Sequence, residues 1–388
     1  MRILQVIEAT GAGVGRHVRT LSEGLALLGH EVHVVYAPLR LDEAFRGFIQ
    51  KGEGMGIRFS EMDVGREISP AGDLNAVRRV VEVARRYGPF DIVHGHSSKG
   101  GAIGRAAARI ARVPAVYTPH SMILSSPDIS RKKIALYTTA ERVLGYGATS
   151  CLIAVSEDEG DFIRDLNVVP RARIRVIPNA LRDEDFSYFN PEGHCGEGQR
   201  PLIFGATMRF SAQKAPLNLV EAFAQARKAS PDTPMRLKIA GDGELLEECR
   251  KRVGELGLKG EVHLPGWVAG PGEFLGGLDV FVVSSHYEAG ISYSTMEAMA
   301  AGLPVVSTKV FGASLVVGAG ENLIVPTGDV RALSRAIEWM ARVSGETLGS
   351  IGRANHEHAR RNFDQEQATC RTLAIYRELA GTSDIAFP

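Results

Sequence analysis

The stretch DVFVVSSHYEAGISYSTMEAMAAGLPVVST, residues 279–308, decides the fold class of this chain. Two short apolar runs rich in valine flank a segment of small residues that has a helical pattern at about 293–301. Runs of valine and isoleucine without strict alternation are typical of strands buried on both faces of a sheet. The order strand, helix, strand predicts a parallel pair, which is the repeating unit of doubly wound α/β domains.

The same alternation continues along the whole chain. Strands are predicted in the first half at RILQVIE, EVHVVYA, DIVHGH, AVYTPH, SCLIAVS and RIRVIP. They are predicted in the second half at LIFGATM, MRLKIAG, EVHLPGW, DVFVVSS, PVVST and NLIVP. Two such series predict an α/β protein with two doubly wound, Rossmann-like domains. The polar, aperiodic residues 183–200 are expected to link a domain at 1–182 to a domain at 201–361.

The composition indicates a globular protein without a strong charge bias. Of 388 residues, 44% are hydrophobic, and the formal net charge of +0 argues against a nucleic-acid-binding protein. No run of 18 or more apolar residues is present, and the N-terminus is interpreted as a strand instead of a signal peptide. The four cysteines match no zinc or redox spacing and are expected to be reduced. Together these features predict a cytoplasmic protein.

A glycine-rich turn, GAGVGRH at residues 11–17, follows the first strand and precedes a helix predicted at about 16–28. Ligands bind beyond the carboxyl ends of strands in open parallel sheets, and Gly13 and Gly15 would let the backbone approach a phosphate. Arg16 stands where a nicotinamide fingerprint needs its third glycine, and no acidic residue ends the second strand. A dehydrogenase is therefore disfavoured, and a plain tight turn remains the alternative interpretation.

Histidines follow two further strands, His94 and His96 in HGH and His120 in YTPHS. Both strand ends should bring these side chains toward the same edge of the sheet, which favours a functional role over a structural one. A zinc site is the weaker interpretation because no third ligand is apparent at a metal-binding spacing. The sequence therefore predicts no metal site.

Cations and carboxylates mark the strand ends of the second half. Arg209 and Lys214 lie on either side of a polar turn near a helix start, where they could hold a diphosphate or could simply be solvated. Glu288 precedes a predicted helix and Glu297 lies inside it. A carboxylate placed there can cap the helix or accept hydrogen bonds from ligand hydroxyls.

These motifs, in this order, resemble glycosyltransferase family 4, the retaining nucleotide-sugar transferases of GT-B architecture. The matching segments are GAGVGRH, HSSKGG, TPHS, AVSEDE, VIPNA, RFSAQKAP, AGDGE and EAMAAGLPVVST. The pair TPHS and HGHSSKGG is most similar to the branch that builds bacterial surface polysaccharides. The resemblance implies two Rossmann-like domains that face each other across a cleft, with a C-terminal helix at 362–380 packed back on the first domain.

The resemblance also implies roles for the two domains and their residues. The C-terminal domain would bind the nucleotide sugar, most simply a UDP-sugar, and the N-terminal domain would bind a saccharide or polyprenyl-diphosphate-linked acceptor. The implied catalytic residues are His120, Arg209, Lys214 and Glu288. The implied donor-binding residues are Gly13, Gly15, Arg209, Lys214, Gly266, Trp267, Val268, Glu288, Gly290, Ile291, Ser292 and Glu297. The implied acceptor-binding residues are His94, His96, Ser97 and Lys99.

The chain departs from the family pattern at the first glutamate. Eight residues separate Glu288 from Glu297, whereas the family usually has seven, so that Ala289 stands in the expected place. Either the loop carries one extra residue and Glu288 still reaches the sugar, or it does not. In addition, Ala180 stands where the family commonly has glycine.

The implied mechanism depends on positioning and electrostatics, because no carboxylate is clearly placed as a nucleophile. In the family, the leaving diphosphate is thought to guide the acceptor to the same face of the sugar. No metal-binding acidic motif is present, and we expect no obligatory metal. The rival hypotheses are a nucleotide-sugar 2-epimerase, which would need acidic acid/base residues, and a non-catalytic nucleotide-sugar-binding protein.

A basic, apolar helix start predicts peripheral contact with a membrane. Arg131, Lys132 and Lys133 lie beside Ile134, Leu136 and Tyr137 at the start of a helix predicted at about 130–146. This segment could rest on the anionic inner face of the cell membrane, close to a lipid-linked acceptor. The alternative is an ordinary solvated helix start.

Overall fold

The computed structural model describes residues 1–65, 67–125, 129–189, 200–268, 270–317 and 321–381. The chain divides into two compact units. The first contains Met1–Ala180 and the C-terminal segment from Gln365, and the second contains Leu181–Asp364. Residues 190–199 of the expected linker, and Cys195 with them, lie outside the described residues. The start of that linker forms a short 3-10 helix at Asp183–Phe186 within the second unit.

The described residues of the first unit form a seven-stranded parallel sheet in the order β3-β2-β1-β4-β5-β6-β7. Its strands are β1 Arg2–Ile7, β2 Glu31–Tyr36, β3 Arg58–Glu61, β4 Ile92–His96, β5 Ala115–Thr118, β6 Cys151–Ala154 and β7 Ile174–Val176. Its helices are α1 Ala12–Leu27, α2 Glu43–Gly54, α3 Pro70–Tyr87, α4 Ser98–Ala111, α5 Arg131–Ala148, α6 Glu157–Leu166 and, from the end of the chain, α14 Gln365–Ala380. Apolar clusters cover both faces of the sheet, which explains why apolar and polar residues do not alternate along its strands.

The C-terminal helix α14 is an integral part of the first unit. It packs against α1 and β4, and the Gln365 side chain donates a hydrogen bond to the Thr20 carbonyl at 2.8 Å. At Gly24 a Cβ atom would lie 2.4 Å from Thr369 Oγ1, so that glycine allows α1 and α14 to approach closely. This packing places Tyr376 in the core beside the histidine-bearing strand β4.

The described residues of the second unit form a six-stranded parallel sheet in the order β10-β9-β8-β11-β12-β13. Its strands are β8 Leu202–Thr207, β9 Met235–Ala240, β10 Val262–Gly266, β11 Val280–Val283, β12 Val305–Thr308 and β13 Leu323–Val325. Its helices are α7 Pro216–Ala229, α8 Leu246–Glu255, α9 Pro271–Gly276, α10 Tyr293–Ala300, α11 Ala313–Val317, α12 Val330–Arg342 and α13 Gly345–Asn362. Two apolar clusters again enclose the sheet.

The predicted fold class of two doubly wound α/β domains is confirmed, and the stretch that predicted it forms β11, α10 and β12. Among the described α-helices and strands, four were not predicted: α2, β3 and the short helices α9 and α11. The prediction placed the start of α1 near residue 16, but the helix begins at Ala12, so Gly13 and Gly15 lie inside it. Among the described residues, none of the helices combines the length and apolar character needed to cross a bilayer.

Candidate active site

Three histidines converge at the carboxyl edge of the first unit's sheet. His96 is the last residue of β4, His120 follows β5 by two residues, and His17 lies in the second turn of α1. In the sheet register Ile7 pairs with His96, which places the end of β1 and the start of the glycine turn beside β4. We call His17, His96 and His120 the histidine cluster.

Short contacts hold the histidine cluster together. His96 Nδ1 lies 3.3 Å from His120 Nε2, and His96 Nε2 lies 2.6 Å from Gln5 Oε1. The His17 ring centroid lies 4.5 Å from that of His120 and 5.4 Å from that of His96. Sequence reasoning found two of these residues and missed His17, although it is the last residue of the quoted GAGVGRH turn.

Burial makes the histidine cluster neutral at pH 7. Loss of hydration lowers the pKa of His17 to about 4, and the Asn179 side chain, as an acceptor for the charged imidazolium, opposes this shift. Burial and the neighbouring imidazoles also lower the pKa of His96 and of His120 well below the usual value of 6.5. The cluster therefore offers neutral hydrogen-bond donors and acceptors instead of cations.

His94 has a supporting role in the structure. Its Nδ1 lies 2.5 Å from the Tyr376 hydroxyl, and its Nε2 lies 2.8 Å from Thr118 Oγ1. The residue is buried, and its ring centroid lies 4.0 Å from that of His96. Because both ring nitrogens already have protein partners, the expected direct contact with an acceptor is not supported for His94.

The turn that carries His120 is held by a buried carboxylate, Glu159. His120 and Ser121 both have positive φ angles, 52° and 86°. Glu159 Oε1 accepts a hydrogen bond from the Ser121 amide at 3.0 Å, and Oε2 accepts one from the Val155 amide at 2.8 Å. Burial raises the pKa of Glu159 to about 7, although these hydrogen bonds oppose the shift. Sequence reasoning used Glu159 only as part of the AVSEDE motif.

The expected acceptor residues Ser97 and Lys99 differ in their surroundings. Ser97 has a positive φ of 62°, and its buried hydroxyl has no hydrogen-bond partner among the described residues. Lys99 Nζ donates to the Gly65 carbonyl at 2.6 Å and lies 2.9 Å from Asp73 Oδ1. The Ser97 hydroxyl therefore keeps its hydrogen-bonding capacity unused, whereas the ammonium of Lys99 ties α4 to α3 and to the segment before it.

The two glycines predicted to contact phosphate have different environments. Gly13 is exposed in the first turn of α1, where amides can meet an anion. Gly15 is buried, and a Cβ atom there would lie 1.7 Å from the Thr10 carbonyl oxygen. The glycine at position 15 is thus required by the close approach of α1 to Thr10 in the loop after β1.

In the second unit the structure joins Lys214 to Glu288. Lys214 Nζ lies 2.5 Å from Glu288 Oε1, and the Ser285 hydroxyl donates to the same oxygen at 2.7 Å. The two side chains are 20% and 9% exposed. The helix-capping interpretation of Glu288 is wrong, because Ser292 is the N-cap of α10 and accepts from the Thr295 amide at 3.3 Å.

Hydrogen bonds between two loops bring Lys214 and Glu288 together. The Ser284 hydroxyl donates to the Lys214 carbonyl at 2.8 Å. The Gln213 side chain donates to the Tyr287 carbonyl at 3.0 Å, and the Gln213 carbonyl accepts from the His286 amide at 2.8 Å. The loops after β8 and β11 are therefore fixed to each other through residues 213–214 and 284–287, and this fixes the ion pair between them.

The other expected donor residues of the second unit lie in the loop after β8, on α10 and at the end of β10. Arg209 is exposed, and the described part of the chain provides no ion pair for its guanidinium. Glu297 is buried within α10. Gly312 packs against the backbone of Gly290 and Ile291, where a Cβ atom would lie 2.0 Å from the Ile291 amide nitrogen. At the end of β10, Trp267 follows Gly266 and is 68% exposed.

Two family models together match most of the chain. A model described as a glycosyl transferase 4-like domain matches residues 12–180, and one described as glycosyl transferases group 1 matches residues 200–342. The first match contains the histidine cluster, and the second contains the Lys214–Glu288 pair. Both candidate sites therefore lie within regions that glycosyltransferases share.

Characterised relatives also resemble the chain over most of its length. It is 30% identical to UDP-Gal:alpha-D-GlcNAc-diphosphoundecaprenol alpha-1,3-galactosyltransferase of Escherichia coli, over 70% of this chain and 71% of that protein. It is 28% identical to the capsular polysaccharide biosynthesis glycosyltransferase CapM of Staphylococcus aureus, over 76% of this chain and 78% of that protein.

Solved structures share the fold. The crystal structure of Anabaena Alr3699/HepE in complex with UDP matches this chain with a TM-score of 0.77 and 20% sequence identity. The match covers 97% of this chain and 100% of that chain. The 2-epimerase and non-catalytic alternatives are not retained, since the sequence matches are to glycosyltransferases. From the two family models, the relatives and the fold, we conclude that the chain belongs to glycosyltransferase family 4 and has the GT-B fold.

Proposed function

We propose that this glycosyltransferase moves a hexose from a UDP-sugar, with retention of configuration, to a saccharide carried on a polyprenyl diphosphate. The product would enter a bacterial surface polysaccharide. The observation that carries the proposal is the partly buried Lys214–Glu288 pair on two loops joined by hydrogen bonds, with Arg209, which has no ion pair among the described residues, nearby in the sequence. The Escherichia coli relative, whose name specifies a UDP-Gal donor and a diphosphoundecaprenol-linked acceptor, supports both substrate classes.

The donor diphosphate is assigned to Arg209 and Lys214. Without ligand, Lys214 is neutralised by Glu288. A diphosphate would attract the ammonium, and the Glu288 carboxylate would then accept hydrogen bonds from the sugar hydroxyls. The contact between Glu288 and Lys214, the lysine that is assigned to the diphosphate, supports this role for Glu288 despite the extra residue before α10.

The remaining donor contacts are assigned from the roles that the matching positions have in the family. Glu297 is assigned to the ribose hydroxyls, and the amides of residues 290–292 are assigned to the sugar. The backbone of residues 266–268 is assigned to the base, beside the exposed Trp267 ring. Gly13, at the exposed N-terminal turn of α1, is assigned to a phosphate oxygen.

The acceptor and the transferred sugar are assigned to the first unit. His120, a neutral imidazole, would contact the transferred sugar, and His96, whose two ring nitrogens are already paired with His120 and Gln5, would orient it. The unpartnered Ser97 hydroxyl would contact the acceptor. The two cations at the diphosphate would stabilise the leaving group, and the departing oxygen would receive the proton of the incoming hydroxyl. Since these cations supply the charge, removal of metal ions with EDTA is expected to leave the transfer rate undiminished.

A location at the inner face of the cell membrane follows from the proposed acceptor and from α5. The helix exposes Leu136 and Val143, which are 59% and 68% exposed, and its first turn carries Lys132 and Lys133. Apolar side chains next to lysines are suited to an anionic leaflet. We propose peripheral binding there by an otherwise cytoplasmic protein.

The donor assignment is tested by thermal unfolding with UDP, GDP, ADP, TDP and CMP. UDP at 100 times its Kd should stabilise the wild type by about 2.7 kcal/mol. Glu297→Ala should lose most of this stabilisation, and the matched control Glu247→Ala, at an exposed site on α8, should keep it. Stabilisation by another nucleotide alone would contradict the UDP assignment. Equal stabilisation of Glu297→Ala would contradict the placement of the site.

A further inference from the structure

The histidine cluster has a geometry that its proposed role in sugar transfer does not require. Each of His17, His96 and His120 offers a ring nitrogen, and the three nitrogens lie within 4.8 Å of one another. Zinc binds imidazole nitrogen at about 2.0–2.1 Å in a tetrahedron, which separates two such nitrogens by about 3.3 Å. His96 Nδ1 and His120 Nε2 are already 3.3 Å apart, so only His17 must move closer.

The surroundings of His96 direct a lone pair into the cluster. The Gln5 amide oxygen, 2.6 Å from His96 Nε2, can only accept a hydrogen bond, so Nε2 carries the proton. The lone pair is therefore on Nδ1, the atom that faces His120. Metal-binding histidines typically donate their other ring N–H to an oxygen in this way, which fixes the tautomer and the ring orientation.

His17 supplies a second, independent indication. Its Nε2 is buried and has no hydrogen-bond partner among the described residues. Buried polar atoms of native proteins are nearly always paired, and an unpaired one can mark an ion that the chain binds. The His17 ring is in edge contact with His120, so the unpaired nitrogen is carried by a ring of the cluster itself.

We propose that His17, His96 and His120 form a binding site for a first-row transition metal ion, with Zn²⁺ as the expected occupant. Three imidazoles favour zinc, cobalt, nickel or copper over magnesium and calcium, which prefer oxygen ligands. Three protein ligands leave the fourth position open to water. The site uses His120, so an occupied site would withdraw this side chain from the transferred sugar and inhibit transfer. This consequence, unlike metal binding itself, rests on the proposed function.

Binding is tested on the full chain after treatment with EDTA. Titration with Co²⁺ should give the visible absorption of a four-coordinate ion at one equivalent per chain, and Zn²⁺ should displace it. His17→Gln should weaken binding at least tenfold. His263→Gln, at an exposed histidine on β10, is the matched control and should bind like the wild type. Equal affinity of His17→Gln and the wild type, or absence of the four-coordinate spectrum, would overturn the proposal.

A ligand exchange separates loss of a ligand from loss of the fold. His17→Cys keeps a metal ligand at this position and should bind Co²⁺ with an added thiolate-to-metal absorption band in the near ultraviolet. A folded His17→Cys that binds Co²⁺ without this band would show that residue 17 is not a ligand and would overturn the site.

Inhibition is measured separately from binding. The transfer rate of the wild type should fall as Zn²⁺ fills the site and should recover when EDTA removes the ion. The control His263→Gln should show the same fall and recovery. If Zn²⁺ binds at the cluster and transfer is unaffected, the inhibitory role is overturned and His120 is not beside the sugar. Stabilisation by UDP would be unchanged in that case, so the donor assignment is tested independently.

Discussion

The two units present opposite kinds of chemistry at their strand ends. The first unit has neutral imidazoles, buried and oriented by strand residues such as Gln5. The second unit has a lysine and a glutamate that neutralise each other on two loops joined by hydrogen bonds. A neutral, rigid group can orient hydroxyls without attracting other anions, whereas an ion pair can exchange its partner for a diphosphate. The contrast agrees with an acceptor in the first unit and a nucleotide in the second.

Removal of the cation in the second unit should have the largest effect. Lys214→Ala is expected to lower kcat by about 10²–10³, which is typical when one group that stabilises transition-state charge is lost. It also leaves the Glu288 carboxylate buried without its cation. The measurement is steady-state transfer, with Lys228→Ala at an exposed site on α7 as the control. A loss of less than fivefold would contradict the role of Lys214.

Removal of the imidazole in the first unit should have a smaller effect. His120→Asn is expected to lower kcat by about tenfold, since one neutral hydrogen bond contributes about 0.5–1.5 kcal/mol. The stabilisation by UDP should stay as in the wild type. If His120→Asn lost as much activity as Lys214→Ala, or lost UDP binding, the proposed division between a neutral and a charged site would fail.

The fold could be predicted from the sequence because strands buried on both faces appear as short runs of valine and isoleucine, separated by helical segments. Two of the elements that were missed, α2 and β3, explain the limits of this signal. In α2, Gly47, Gly52 and Gly54 interrupt the helical pattern, and β3 is a half-exposed edge strand of four residues. Neither element has the apolar run on which the prediction depended.

The candidate sites were predictable only in part. Motif order identified Lys214 and Glu288, but they are 74 positions apart in the sequence, and their contact depends on side-chain hydrogen bonds between loops. His17 was missed because α1 begins four residues earlier than predicted, which brings it beside His96 and His120. Glu159 acts through backbone amides of a turn with positive φ, a feature that motif spacing does not reveal.

The buried carboxylate that supports the His120 turn should make stability depend on pH. The pKa of Glu159 is raised from 4.5 to about 7, so between these values the folded state keeps a proton that the unfolded state has lost. Its contribution is therefore present at low pH and falls by about 3 kcal/mol as pH rises from 4.5 through 7. Glu159→Gln cannot titrate and should lack this slope.

Denaturant unfolding of the wild type and Glu159→Gln from pH 4.5 to pH 8 measures this difference. Asp161→Asn is the matched control, because it removes an exposed carboxylate from the same helix. Parallel pH profiles for the wild type and Glu159→Gln would show that Glu159 is ionised in the folded protein throughout this range. The turn would then depend on a charged carboxylate.

Charge reversal on α5 should have the smallest effect. Each lysine near an anionic surface contributes about 1 kcal/mol, so Lys132→Glu is expected to weaken binding to vesicles with anionic lipid about fivefold or more. Lys251→Glu, on the exposed surface of α8, should not change vesicle binding. Sedimentation with anionic and neutral vesicles measures both variants. If Lys132→Glu and Lys251→Glu weakened binding to anionic vesicles equally, the net charge of the protein, and not this helix, would determine membrane binding.

The stereochemistry of the product tests the central claim most directly. The protein is incubated with a UDP-hexose and a polyprenyl-diphosphate-linked saccharide, and the anomeric configuration of the new linkage is determined by NMR. We expect the configuration that the sugar had in the donor, because in the proposed mechanism the leaving diphosphate guides the acceptor hydroxyl to the face of the sugar that it departs from. No residue is assigned as a base that would direct attack from the opposite face. A product with inverted configuration would contradict the assigned roles of Arg209, Lys214 and Glu288.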